Sequence, residues 1–151
     1  MSAQTRWKPH VTVAAVIERD GRFLMVEEHT EEGLQLNQPA GHLEEGESLV
    51  DAVVREVLEE AAWHFAPAQL VGVYQWTWKN RCYLRFAFAG ELLREEAGRA
   101  LDDGIVRTVW MTEAELQANR ARHRSPLLLQ CVQDYRAGRR VPLDMLHWVR
   151  P

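Results

Sequence analysis

The chain has 151 residues, 46% hydrophobic and 26% charged, with a formal net charge of -4 at pH 7. Such values suit one globular domain over residues 1–151 and argue against a binder of polymeric nucleic acid, which would carry a basic patch. No run of about 18 apolar residues is present to span a membrane, the N-terminus lacks an apolar signal core, and Cys82 and Cys131 stand far apart, so a reduced cytoplasmic setting is expected.

His10 to Glu18 is β-branched and apolar and reads as a strand. Asp20-Gly21 is a hairpin turn signal, so Arg22 to Glu28 should return beside it. His29 to Gly33 is polar and acidic and reads as an exposed loop. Leu34 to Gln38 is a short extended piece, because Pro39 biases Gln38 away from helix. An acidic loop with Gly41 and Gly46 follows, where backbone can approach a ligand closely. A helix then starts at Ser48, with Asp51 three residues on. Leu70 to Trp78 and Cys82 to Leu93 form a strand pair around Lys79-Asn80-Arg81. In the second of these, Tyr83, Arg85, Ala87 and Ala89 alternate against Leu84, Phe86, Phe88 and Gly90. Arg94 to Gly104 is charged and reads as a mobile loop, and Ile105 to Met111 as another strand. Thr112 with Glu115 fits a capping box. Ser125 caps a last helix, Pro126 to Ala137, that Gly138 ends. Strands, helix, strands and helix in that order argue for an α/β fold, a mixed sheet with helices on both faces.

The helix after Ser48 carries the chemistry. Glu56, Glu59 and Glu60 lie three and four residues apart, so their like charges face one another. A hard divalent cation compensates such a cluster, since Mg²⁺ takes oxygen ligands from one or two carboxylates plus substrate phosphates. Leu49, Val50, Val53, Val54, Val57, Leu58 and Ala61 fill roughly half of the helical wheel. Glu60 falls between Leu49 and Val53, at the edge of that buried arc, where a carboxylate loses hydration and needs a partner. Arg55 is spaced to pair with Glu59 at i,i+4 and with Asp51 on the other side. A solvated acidic face is the ordinary reading of a glutamate cluster; the position of Glu60, the arginine and the glycine loop all weigh against it.

Gly41, Glu47, Arg55, Glu56, Val57, Glu59 and Glu60 stand at the spacing of the Nudix box, and the chain resembles the Nudix hydrolase family. One position departs: Ala62 stands where the box ends in glycine, so the helix either runs further or ends differently. The resemblance implies the Nudix fold, an α/β/α sandwich. It also implies Mg²⁺, with Mn²⁺ as an alternative, held by Glu56 and Glu60 first, with Glu59 close by and the Gly41 carbonyl completing the set. Glu59 is the first candidate for general base. Glu113, Glu115 and Asp103 are rivals, because the family often takes its base from outside the box. Arg55 orients Glu59 and Glu47 through charge-assisted hydrogen bonds.

Substrate selection must come from elsewhere. Tyr74, Trp76 and Trp78 share a face of one strand and could stack on a flat heterocycle, although core packing is as ordinary a role. Trp76, beside Gln75, is the better substrate contact. Arg85, in a mostly apolar strand, could bind phosphate or form a salt bridge at an edge. Lys8 and His10 open the first strand and could reach a phosphate. His42 fits a solvated loop, and the capping role of Ser125 explains that residue fully. The likeness to the family extends through KPHVTVA at 8–14, NQPAGHLE at 37–44, QW at 75–76, LRF at 84–86 and RSPLL at 124–128. These segments are similar to a phosphatase branch. That branch implies cleavage of nucleoside tri- and diphosphates with release of orthophosphate, and action on hydroxymethylpyrimidine pyrophosphate and thiamine pyrophosphate. The residues alone reach metal-dependent cleavage of a phosphoanhydride. The partner expected is a small-molecule phosphate substrate, and the assembly a monomer or small homo-oligomer. Alternatives are a hydrolase of a sugar nucleotide or dinucleotide, or a non-catalytic sensor with the same fold. The presence of all three helix glutamates argues against the sensor.

Overall fold

A computed structural model describes residues 5–151, so the first four residues of the expected domain lie outside the described part. Asp20 and Gly21 both take left-handed backbone, with φ of 52° and 76°, as two-residue hairpin turns require. They join β2 (Glu18–Arg19) to β3 (Arg22–Thr30), just after β1 (His10–Val16). β3 runs past its expected end at Glu28 and pairs with β4 (Gly33–Asn37). The polar run from His29 to Gly33 is therefore a hairpin tip. Its local contacts are polar: Thr30 Oγ1 donates to the Gly33 carbonyl at 3.0 Å and accepts from the Glu32 N–H at 3.1 Å. Hydrophobic alternation gives no hint of it.

A second left-handed turn, Lys79-Asn80, joins β6 (Trp63–Trp78) to β7 (Arg81–Glu95). β6 begins seven residues before its expected start at Leu70, directly after the helix. Register shifts at Trp63/Phe65, Pro67/Gln69 and Leu70/Gly72 break the alternation that would have revealed it.

The first sheet has the order β5 (Ala40–His42), β1, β7, β6, β9 (Val141–Pro142), with β1 and β7 parallel and the other pairs antiparallel. The second is built on β3, flanked by β8 (Ile105–Met111) on one edge and by β2 and β4 on the other. Helix α1 (Leu49–Ala61) puts Val53, Val57 and Ala61 against Val13, Ala15 and Phe88. Helix α3 (Leu127–Arg136) puts Leu128, Cys131 and Val132 against Val16, Ala87 and Ala89, the residues alternate to those under α1. Two helices on opposite faces of a mixed sheet make the expected α/β/α sandwich. Short helix α2 (Glu113–Ala118) forms its capping box, and Ser125 Oγ accepts the Leu127 N–H at 3.2 Å at the start of α3. No helix among the described residues is long and apolar enough to cross a membrane.

The segment after β7 is tied down rather than loose. Glu96 N–H donates to the Ala62 carbonyl at 2.8 Å, Asp102 N–H to the Glu59 carbonyl at 3.0 Å, and His29 N–H to the Gly104 carbonyl at 2.8 Å. These bonds bring Asp102 against the end of α1.

Helix α1 starts as expected, with Ser48 Oγ accepting the Asp51 N–H at 3.0 Å. It stops where a glycine would stop it: Ala62 takes φ 59° and ψ 27° and donates to the Leu58 carbonyl at 3.0 Å. Left-handed backbone costs an alanine about 1–2 kcal/mol, while glycine loosens the unfolded chain by about 0.4–1 kcal/mol. Ala62→Gly should therefore stabilise by a few tenths to about 1 kcal/mol, raising the Tm by about 1–4 °C for a chain of this size. Scanning calorimetry reads this directly; a lowered Tm would show that no strain resides at Ala62.

Candidate active site

The loop from Leu43 to Ser48 and the first turns of α1 are organised by one guanidinium. Arg55 grips Glu47 bidentately, Nε to Oε2 at 3.0 Å and Nη2 to Oε1 at 2.7 Å. Nη1 donates to Glu56 Oε1 at 2.7 Å and to Glu59 Oε2 at 3.2 Å, and Nη2 also reaches the His42 carbonyl at 3.0 Å. All five N–H donors of an arginine are thereby engaged. The expected pairing with Asp51 does not form; Asp51 is exposed and contributes its N–H to the helix cap. Arg55 holds the Glu47 carboxyl below its ordinary range.

Strand β5 passes over the same helix face. A Cβ at Gly41 would fall on the Glu56 carboxylate, so glycine lets the strand and that carboxylate hold these positions together. Burial pushes Glu56 up, against the pull of Arg55. Glu60 is only 8% exposed, and its Oε1 accepts the Ala40 N–H at 2.7 Å. Burial pushes Glu60 up to about 8; the Ala40 amide acts in the opposite sense, and the charges of Glu56, Glu28 and Asp102 add to the rise. The border position of Glu60 on the helical wheel thus becomes real desolvation.

Oxygens of Glu56, Glu59 and Asp102 lie within 4.8 Å of one another. Asp102 is a site residue the sequence reading missed; it named the neighbouring Asp103. The Asp102-Asp103-Gly104 run signals a turn, but only the tether to Glu59 says which aspartate meets the helix. Glu60 lies outside this trio. The other rivals for the base are engaged at α2: Glu115 accepts the Thr112 N–H at 2.8 Å, and Glu113 pairs with Arg136 at 3.2 Å. Buried acids with raised pKa values, a carboxylate trio and a strand seated on one of them fit a hard divalent cation, which favours the ionised form of each.

A cleft of about 370 Å³ is also present, within the size range of small-molecule sites. Trp76 and Trp78 line it together with Arg120, His123, Arg124 and Ser125. The aromatic trio divides: Tyr74 donates to Asp134 Oδ2 at 2.7 Å under α3 and belongs to the core, while the two tryptophans line the cleft. Gln75 is exposed on the strand face opposite Trp76, so the two are not brought together. Arg85 is 6% exposed and donates to Gln38 Oε1 at 3.1 Å and Asn37 Oδ1 at 3.4 Å. It lies in neither the cleft nor an edge salt bridge. His10 stacks on Tyr83 at 5.3 Å, and Tyr83 on Trp76 at 5.6 Å, yet His10 itself lines a separate, shallower cleft with His42, Glu44 and Glu45.

A NUDIX domain model matches residues 8–131 of the chain. Phosphatase NudJ of Escherichia coli K12 is 40% identical over 142 residues, covering 93% of this chain and 92% of NudJ. A solved NUDIX hydrolase from Nitrosomonas europaea superposes with a TM-score of 0.92 at 50% identity, covering 94% of this chain and 98% of its own. A solved UDP-X diphosphatase, at 19% identity and a TM-score of 0.74, covers 91% of this chain and 68% of its own, and is alike in fold.

Proposed function

The chain belongs to the Nudix family and is a Nudix phosphohydrolase; from that premise we propose that it is a Mg²⁺-dependent phosphatase of nucleoside tri- and diphosphates, of hydroxymethylpyrimidine pyrophosphate and of thiamine pyrophosphate, releasing orthophosphate. The observation that carries this reading is the carboxylate trio of Glu56, Glu59 and Asp102, beside buried Glu60 and braced by a fully engaged Arg55. The similarity to a protein named as a phosphatase supports the choice of orthophosphate as product.

Glu56, Glu59, Asp102 and Glu60, with the Gly41 carbonyl, would hold the cation. Bound there, it would neutralise charge on phosphate oxygens and make a nearby water more acidic. Glu59 is the base: it stands at the rim of the trio with its side chain 31% exposed, and Arg55 fixes one of its oxygens. It takes the proton of a water that attacks the terminal phosphorus in line, and the shortened phosphate leaves on the opposite side. Arg55 and Glu47 act as the brace. The flat ring of the substrate lies in the cleft against Trp76 and Trp78.

A product assay tests this proposal. Purified protein with Mg²⁺ is offered ATP, ADP, thiamine pyrophosphate and hydroxymethylpyrimidine pyrophosphate, with orthophosphate and pyrophosphate scored separately. Stepwise orthophosphate release, abolished by chelator, is expected. Release of pyrophosphate from ATP, or turnover only of a sugar nucleotide or dinucleotide, would overturn it.

A further inference from the structure

We infer that Arg124 binds the phosphate chain of the substrate, exchanging its Glu28 partner for phosphate, and so sets the preference of the site for polyphosphates. This rests on the phosphohydrolase reading above. The site presents an anionic substrate with Glu28, Glu56, Glu59, Glu60 and Asp102, so side-chain cations must offset part of the repulsion. Arg55 has no donor to give, because all five are engaged. Arg85 is buried against the amides of Asn37 and Gln38. His123 has its Nε2 on the Leu116 carbonyl at 2.8 Å.

Arg124 differs from all three. Its backbone is fixed, with the N–H donating to the Leu36 carbonyl at 2.9 Å. Its side chain is 52% exposed and lines the tryptophan cleft. Its guanidinium pairs with Glu28. Glu28 in turn faces Ile105 across β3 and β8, and the Ile105 N–H donates to the Asp102 carbonyl at 3.0 Å. Arg124 therefore stands between the cleft and the carboxylates. A ligand with its ring against Trp76 and its reacting phosphorus at Glu56 and Glu59 must carry its phosphates past this guanidinium. A phosphate offers more charge than the Glu28 carboxylate, which takes only the Nη1 donor of Arg124, and can accept a bidentate grip from the whole guanidinium fork.

Binding measured by isothermal titration calorimetry in chelator, with ADP and inorganic pyrophosphate as probes, tests the assignment without requiring turnover. A hydrogen bond to a charged group typically contributes about 1.5–3 kcal/mol, or roughly ten- to a hundredfold in affinity. Arg124→Gln should weaken both probes by that factor. Trp76→Ala should weaken ADP alone, since pyrophosphate has no ring. Arg124→Lys should fall between, keeping the charge but not the fork, and Glu28→Gln should tighten both probes by removing the competitor. Unchanged pyrophosphate affinity in Arg124→Gln, or wild-type protein that binds neither probe, overturns the assignment. Absence of catalysis with normal probe binding would instead count against the phosphatase reading and leave Arg124 in place.

Discussion

Glu60→Gln should abolish Mg²⁺-dependent turnover and, in the same molecule, make the metal-free protein more stable at neutral and alkaline pH. Loss of a partner that merely supports a metal ligand typically costs about 10–100-fold in affinity or activity. Loss of a ligand's own charge should exceed that range. Glutamine keeps the shape of the side chain and can still accept the Ala40 N–H that Glu60 Oε1 takes at 2.7 Å, so the fold has no reason to fail. Turnover retained within a few-fold would remove Glu60 from the ligand set and leave Glu56, Glu59 and Asp102 to hold the cation alone.

The stability half of this result follows from proton linkage. The Glu60 carboxyl has an ordinary value of 4.5 and is pushed up to about 8 in the fold. Below pH 4.5 both folded and unfolded chains carry the proton, and the group is neutral toward stability. Above that, the unfolded chain loses a proton that the folded chain keeps. Stability then falls by about 1.4 kcal/mol per pH unit and levels off above about 8. Urea unfolding in chelator from pH 5 to 8 should show this decline in wild type. Glu60→Gln should show a shallower one, the remainder coming from Glu56, which burial also raises. Mg²⁺ should flatten the wild-type curve, because a cation favours the ionised carboxylate. Parallel curves for the two proteins would mean that Glu60 ionises freely.

The parts of this site legible in the sequence are those fixed by helix geometry. Positions 55, 56, 59 and 60 share one regular helix, so spacing alone predicts that Arg55 meets Glu59 and that Glu60 sits at a buried border; both hold. The resemblance to the box leads one to expect that Arg55 holds Glu47; that the hold is bidentate is seen only in the structure. Asp102 was not, because its approach depends on the tether to the Glu59 carbonyl and on β8 lying beside β3. Arg124 was hidden for the same reason: its partners, Glu28 and Leu36, are about ninety residues away in the chain. Strand alternation misled where bulges shift the register, and that concealed the first seven of the sixteen residues of β6. Alternation also explains Gln75: a neighbour of Trp76 in sequence stands on the other side of the sheet. The seat of Glu56 under Gly41 is legible only in three dimensions, although the glycine itself was named.

Gly41→Ala should lower kcat by about a hundredfold or more while leaving the unfolding free energy near that of wild type. The backbone at Gly41 is not left-handed, so alanine meets no conformational penalty there. What it meets is the Glu56 carboxylate, the far end of a flexible side chain. That end can swing away at little cost to the fold, but it cannot do so and keep both Arg55 Nη1 at 2.7 Å and its place within 4.8 Å of Glu59 and Asp102. A misplacement of about 1 Å in a catalytic constellation can cost on the order of a hundredfold in rate. Because both changes act through one carboxylate, Gly41→Ala combined with Glu56→Gln should cost little more than Glu56→Gln alone, a departure from additivity that a double-mutant cycle measures. Near-normal kcat in Gly41→Ala would show that β5 yields instead of the glutamate. Fully additive losses would show that Gly41 acts on the reaction by a route other than Glu56.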